Sequence, residues 1–166
     1  HFDKDPAELL GLRLVSGVII LKTLKSYGMK DKFYLKWPND VLWQDRKLAG
    51  ILVEVIAQSN ESCEVVLGIG INTQLDPSAS IDQPWVSLHE IAKTKIQRNR
   101  LAGILLNESI STLKDFEING LNSYLKEWKE HDYCKGKAIS LQQGSHTVRG
   151  TAQGISERGE LLLLNK

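Results

Sequence analysis

Three stretches of this chain bring together residue types that could do chemistry: Lys36-Trp37-Pro38-Asn39-Asp40, Arg46-Lys47-Leu48-Ala49-Gly50-Ile51-Leu52-Val53-Glu54, and Gly68-Ile69-Gly70-Ile71-Asn72. Lys47 follows the polar turn Gln44-Asp45-Arg46 and opens an apolar run. Lysine is mostly exposed, so a solvated turn residue is the plain reading. The chemical reading starts from what a fixed ammonium does well. Where two anionic groups must be brought together, a cation between them screens the repulsion and stabilises charge developing in the transition state.

The third stretch ends a run of β-branched and glycine residues. Period-two geometry places Val66, Gly68, Gly70 and Asn72 on one face and Val65, Leu67, Ile69 and Ile71 on the other. Two glycines on one face leave room for a flat ligand or for another backbone. Asn72 would then offer a donor and an acceptor at the rim, a match for a purine edge. The competing reading is that the glycines accommodate a packed helix.

In the first stretch, Pro38 biases Trp37 toward an extended conformation and directs the loop. Asn39 and Asp40 after a proline either cap a turn or face a ligand. Lys36 is either structural or directed at a phosphate, and Trp37 reads as loop packing. His89, His131 and His146 are scattered, with neither a nucleophile motif nor metal-ligand spacing beside them. Gly68-Ile69-Gly70 lacks the third glycine and the following helix of a dinucleotide fingerprint.

The elements that must position these groups are legible in outline. Asp5-Pro6-Ala7-Glu8 is a helix start, with a capping aspartate, a proline where no N–H is needed and a capping-box glutamate. Leu9, Leu10, Leu14, Val15, Val18, Ile19, Leu21 and Leu24 then follow at helical spacing, predicting one wide apolar face that ends at Gly28. Strands are predicted over 32–37, 41–43, 47–56 and 63–72, joined by short polar turns that include Ser59-Asn60-Glu61-Ser62. That pattern indicates an antiparallel meander, because parallel strands need long crossovers. A surface loop spans 72–84, a short helical turn falls within 85–92, Asn99 caps a helix running to Gly120, and a second helix covers Leu121 to about His131. Three short strands follow, over 137–142, 146–153 and 160–164.

With the order and spacing of KWPND, RKLAGIL and GIGIN, the chain resembles the biotin–protein ligase family across nearly its whole length. The resemblance implies an α+β fold: a mixed, mostly antiparallel sheet with flanking helices, related to class II aminoacyl-tRNA synthetases, and then a partial SH3-like β-barrel. It divides the chain into 1–132, the second half of a catalytic domain, and 133–166, an incomplete SH3-like domain. The implied activity is formation of biotinyl-5′-AMP from biotin and ATP, with Mg²⁺, and transfer of biotin to a lysine of the biotin carboxyl carrier domain of acetyl-CoA carboxylase. Lys47 is implied as the catalytic and biotin-contacting lysine, with Gly50, Ile51 and Leu52 in the biotin wall. Lys36, Asn39, Asp40, Gly68, Gly70 and Asn72 fall beside the nucleotide, and Asp40 is expected either to hold a water of Mg²⁺ or to brace its loop; no other metal ligand is predicted. Family members can form a homodimer through the sheet, and DNA is a partner only where a helix-turn-helix domain precedes the catalytic part. The departure from the family is the absence of its glycine- and arginine-rich lid loop.

Composition bounds the alternatives. Twenty-one basic and twenty acidic residues leave a net charge of +1, which makes no electrostatic case for nucleic acid or an anionic membrane as the main partner. The apolar runs are interrupted well before the roughly 20 residues needed to span a bilayer. Cys63 and Cys134 form no CxxC pair, as suits a cytoplasmic protein. Two rivals stand beside the biotin reading: a lipoate–protein ligase, also acyl-adenylating, and a non-enzymatic interaction module. The chain begins at His1 and its one methionine is Met29, so it reads as a piece of a longer protein. Without a lid, the activated ester would stand open to water. The 166-residue chain by itself is therefore expected to be inactive, and an assay of biotin-dependent pyrophosphate release from purified chain should give none.

Overall fold

The computed structural model describes residues 9–58, 63–76 and 81–165. Helix α1, Leu9–Tyr27, is the centre of the molecule. Its predicted cap at Asp5–Glu8 lies outside the described residues. At the other end Gly28 takes φ 107°, its N–H bonding to the Lys25 carbonyl and that of Met29 to the Leu24 carbonyl, which closes the helix as predicted. The predicted single apolar face is corrected. Leu14, Val15, Ser16, Val18, Ile19, Ile20, Thr23 and Leu24 are all essentially buried, so α1 is covered nearly all round. A sheet packs on one side and later helices on the other. The two polar residues enter that core because the Ser16 hydroxyl donates to the Leu12 carbonyl (2.7 Å) and that of Thr23 to the Ile19 carbonyl (2.8 Å).

The sheet is an antiparallel meander of β1 Tyr34–Lys36, β2 Asp40–Trp43, β3 Arg46–Gln58 and β4 Cys63–Ile71, in that spatial order. Gln44 and Asp45 both have positive φ, 46° and 65°, which matches the twist demanded of a two-residue hairpin turn. The predicted turn at Ser59–Ser62 lies outside the described residues. Between β2 and β3 the register slips: Val41 faces Ala49 but Leu42 faces Lys47, leaving Leu48 as an extra residue. This bulge lets Leu48 and Ala49 both be buried, and it resets the alternation so that Lys47 shares a face with Gly50.

After the described parts of the 72–84 loop comes α2, Leu88–Ala92, whose cap Ser87 accepts from the Glu90 N–H. Helix α3, Arg98–Asn119, begins earlier than Asn99 predicted. Its cap is Gln97, held by tertiary contact: the Gln97 N–H donates to the Tyr27 hydroxyl at 2.9 Å. Gly120, φ 65°, ends α3 as expected. The single helix predicted from Leu121 is instead a 3₁₀ turn, Leu121–Tyr124, followed by α4, Leu125–Glu130. Tyr124 and Trp128 are buried there, and the Tyr124 hydroxyl reaches back to α3, donating to Asp115 Oδ2 at 2.6 Å.

A second sheet, β5 Ala138–Gln143, β6 His146–Ile155 and β7 Leu161–Leu164, is also antiparallel in that order. The segment leading into it is stitched to β1: the Leu35 N–H donates to the His131 carbonyl (2.8 Å) and the Tyr133 N–H to the Leu35 carbonyl (2.9 Å). The observed class is thus α and β elements with antiparallel sheets, as predicted.

The Tyr124 bond holds the Asp115 carboxyl below its ordinary 3.8, with help from Asn119, while burial and then Asp115 raise the Tyr124 hydroxyl. A depressed carboxyl contributes stability that is present above its unfolded value and lost as pH falls through its folded one. The wild-type chain should therefore lose stability below pH 3.8, and Tyr124→Phe should flatten that acid limb, as urea midpoints between pH 2 and 7 would register.

Candidate functional site

β3 and β4 present two unlike faces. Ala49, Ile51 and Val53 are buried against α1 and lie opposite Ile71, Ile69 and Leu67. The other face carries Gly50, Leu52 and Glu54 opposite Gly70, Gly68 and Val66. Leu52 is 56% exposed and Val66 48%, so this face is open and apolar. The predicted sorting of the β4 residues is borne out.

The glycines of that face are not demanded by the backbone. Neither Gly68 nor Gly70 has positive φ. A Cβ on Gly68 would rest 3.6 Å from Leu52 Cβ, and one on Gly70 would meet no nearer atom than the Gly50 carbonyl oxygen at 3.9 Å, both ordinary contacts. No helix among the described residues packs on them, so the packed-helix reading finds no support. Gly50 differs. A Cβ there would lie 3.2 Å from Lys47 Cε and 3.3 Å from Lys47 Nζ, because the lysine side chain folds directly over this residue.

The Lys47 ammonium is held 2.7 Å from Asp40 Oδ1, an ion pair in which Asp40 is the more buried partner. That oxygen is buried, and it meets the ammonium as an ion-pair contact. A cavity of about 10 Å³, room for roughly one water, lies under the loop and is lined by Arg13, Lys36, Asn39 and Asp40.

The two predicted asparagines are placed by backbone contacts. Asn39 extends the β2–β3 pairing: its carboxamide nitrogen donates to the Ile51 carbonyl and its own carbonyl accepts the Ile51 N–H, both at 2.9 Å. The Asn72 carboxamide nitrogen lies 3.2 Å from the Lys47 carbonyl and 3.2 Å from that of Val86. Its backbone N–H also donates to the Leu48 carbonyl and its carbonyl accepts from the Leu88 N–H. Lys47, Asp40, Gly50, Gly70 and Asn72 therefore gather at one corner of the sheet. Lys36 is exposed on β1, across the ladder from Asp40.

Sequence reasoning missed the segment that completes this corner. Pro84 to Val86 runs beside the start of β3, the Lys47 N–H donating to the Pro84 carbonyl and the Val86 N–H to the Lys47 carbonyl. The visible signal was the apolar pair Trp85-Val86 between a proline and the capping serine. Two of the scattered histidines have their rings engaged by backbone carbonyls. His131 Nδ1 is 2.7 Å from the Phe33 carbonyl and His89 Nδ1 3.0 Å from that of Thr94. Burial pushes the Cys134 thiol pKa up, the opposite of an activated nucleophile. No group of three or more His, Cys, Asp or Glu among the described residues could hold a metal. A cleft of about 970 Å³ is lined by Lys22, Lys25, Met29, Lys126 and Glu127 and includes none of the predicted site residues.

Removing one member of the ion pair leaves a partly buried charge alone. Lys47→Met is expected to destabilise the fold by about 1–2 kcal/mol, below the cost for a fully buried pair because solvent still reaches both groups. Adding Asp40→Asn should recover most of that loss, measured as a double-mutant cycle in urea.

Comparison with known proteins follows the same residues. Residues 1–72 match the biotin/lipoate A/B protein ligase family. The bifunctional ligase/repressor BirA of Escherichia coli K12 is 37% identical over 165 residues, 98% of this chain and 51% of that protein. The biotin–[acetyl-CoA-carboxylase] ligase of Mycobacterium tuberculosis is 33% identical over 130 residues, 78% of this chain and 46% of its own length. This chain thus spans about half the length of the curated relatives it matches. Among solved structures, the biotin protein ligase of Aquifex aeolicus in complex with biotin and ATP superposes with a TM-score of 0.82 at 29% identity, covering 95% of this chain and 66% of that one. Its apo structure gives 0.84 at 28% identity, over 96% and 69%. No described helix is long and apolar enough to cross a membrane.

Proposed function

This chain carries a domain of the biotin/lipoate A/B protein ligase family, and on that premise we propose that its protein joins biotin to ATP as biotinyl-5′-AMP, releasing pyrophosphate, and passes the biotinyl group to a lysine of a carboxyl carrier domain, in the cytoplasm. The observation that carries this reading is the open face paved by Gly50, Gly68 and Gly70 and bordered by a lysine whose ammonium is fixed. A flat acyl-adenylate needs close backbone approach, and the anion formed at its centre needs a cation that does not have to reorganise.

In this reading Lys47 is the catalytic residue, sitting between the acid of biotin and the α-phosphate. Its link to Asp40 keeps the side chain over Gly50 rather than in solvent. Gly50, Ile51 and Leu52 form the biotin wall, Leu52 by its exposed side chain and Ile51 by its backbone, since its side chain is buried. Gly68 and Gly70 lie under the adenylate. Asn39 and Asn72 shape the corner through the Ile51, Lys47 and Val86 carbonyls, and Lys36 faces the phosphates from β1. Among the described residues no cluster of carboxylates builds a magnesium site, and Asp40 is already paired with Lys47; Mg²⁺ would be held by the phosphates of ATP. β5–β7 are read as strands of an SH3-like unit beginning near residue 133, attached to a class II synthetase-like catalytic sheet.

Two outcomes are expected in the full-length protein. Lys47→Ala should lower biotin-dependent ATP–pyrophosphate exchange by about 10²–10³-fold. Gly70→Val should leave thermal stability unchanged, because its Cβ has room, yet abolish binding of a non-hydrolysable biotinyl-adenylate analogue in calorimetry. Exchange driven by lipoate in place of biotin would overturn the choice of acid, and binding that survives Gly70→Val would overturn the placement of the adenylate.

A further inference from the structure

The Trp37 indole leaves the site and points at the second sheet. Its Nε1 donates to the Gly159 carbonyl at 3.0 Å, bridging residues 122 positions apart. The acceptor sits in a turn between β6 and β7 that has little freedom. Ser156 Oγ accepts the N–H groups of Arg158 and Glu160, the Ser156 N–H donates to the Glu160 carbonyl, and the Gly159 N–H donates to the Ser156 carbonyl. Gly159 has φ 85° and is pressed against α1: a Cβ there would lie 2.8 Å from Leu14 Cδ1 and 3.2 Å from Leu121 Cδ2. The acceptor oxygen is thus set by the packing of the core.

The other end of the same short loop is the acid–base corner. Two residues beyond Trp37, Asn39 is bonded twice to Ile51, and the next residue, Asp40, holds the Lys47 ammonium. The loop is therefore a strut with one foot on the β6–β7 turn and the other beside Lys47. We infer that Trp37 is a positioning residue, which by anchoring its loop to the Gly159 carbonyl sets where Asp40 holds Lys47, so that the β6–β7 turn acts on the site without touching it. The kinetic part of this inference rests on the acyl-activation reading; the structural part does not. Its strength follows from geometry, because a misplacement of about 1 Å at a reacting centre costs as much as a hundredfold in rate.

Trp37→Phe keeps an aromatic ring in place and deletes the donor, while Gly159→Ala disturbs the acceptor from the opposite side. In the full-length protein, hydrogen exchange at the Ile51 amide, which bonds to the Asn39 carbonyl, should accelerate about tenfold in either variant, with the α1 amides unchanged in Trp37→Phe. The double variant should exchange no faster than the faster single one, since both break one contact. Biotin-dependent pyrophosphate exchange should lose about tenfold in kcat with KM for biotin within about twofold. An Ile51 amide that does not change in Trp37→Phe overturns the inference, and so does parallel acceleration in α1, which would mark a general loss of stability. If Ile51 accelerates alone while wild-type protein shows no biotin-dependent exchange, the strut stands and the ligase reading falls.

Discussion

One extra residue in β3 decides which side of the sheet Lys47 faces. Strict alternation would point the Lys47 side chain the same way as Ala49 and Ile51, into the core beneath the sheet, where an ammonium has no place. Leu48 is the residue that β2 cannot pair. It takes the buried position, and Lys47 is carried to the opposite face, over Gly50 and beside Asp40. Bulges recur beside active sites because they re-aim a side chain without unmaking a sheet. Here the re-aimed group is the one cation whose position the proposed reaction requires.

The rest of the fold can be understood as support for that corner. α1 lies under β3 and is covered on its other side by α3 and the Leu121–Glu130 segment, which gives the sheet a floor that cannot yield. Gly17 allows the approach: a Cβ there would come within 3.0 Å of a Leu35 methyl. Above the floor, Asn39 and Asn72 serve as backbone partners, the first through its carboxamide on the Ile51 carbonyl and the second through its own on the Lys47 and Val86 carbonyls. The open face needs no such support, and Gly68 and Gly70 are free of any steric demand from the described residues, whereas Gly50 makes room for the Lys47 side chain. A surface shaped for something other than self-packing is what a binding face looks like in physical terms.

Much of this was legible early. The helix stop at Gly28, the hairpin at Gln44-Asp45, the meander and the sorting of Val65 to Ile71 into two faces all follow from local rules: conformational freedom, turn geometry and a period of two. What failed were inferences needing knowledge of what lies alongside. α1 was read as amphipathic because spacing shows where apolar residues fall, whereas two polar residues can be buried once their hydroxyls bond to their own helix. Asn99 was a good local cap, but a tyrosine from α1 starts α3 two residues earlier, at Gln97. The helix after Gly120 was split by a hydroxyl reaching back to another element.

The candidate site divides along the same line. Residue types and spacing by themselves marked a lysine, an aspartate, a glycine-lined strand and two asparagines as candidates, each with a plainer structural reading beside it, and the family resemblance chose between the readings. Tertiary structure decided where each one sits. Lys47 lies on the open face because a bulge, set by the competition of Leu48 for the core, turns it outward. The asparagine amides are engaged by carbonyls of residues up to 25 positions away, and the Trp37 indole by one 122 positions away. Hydrogen bonds are short and directional, so their partners are chosen only when distant segments have been brought within about 3 Å, and no local pattern in a chain records that meeting.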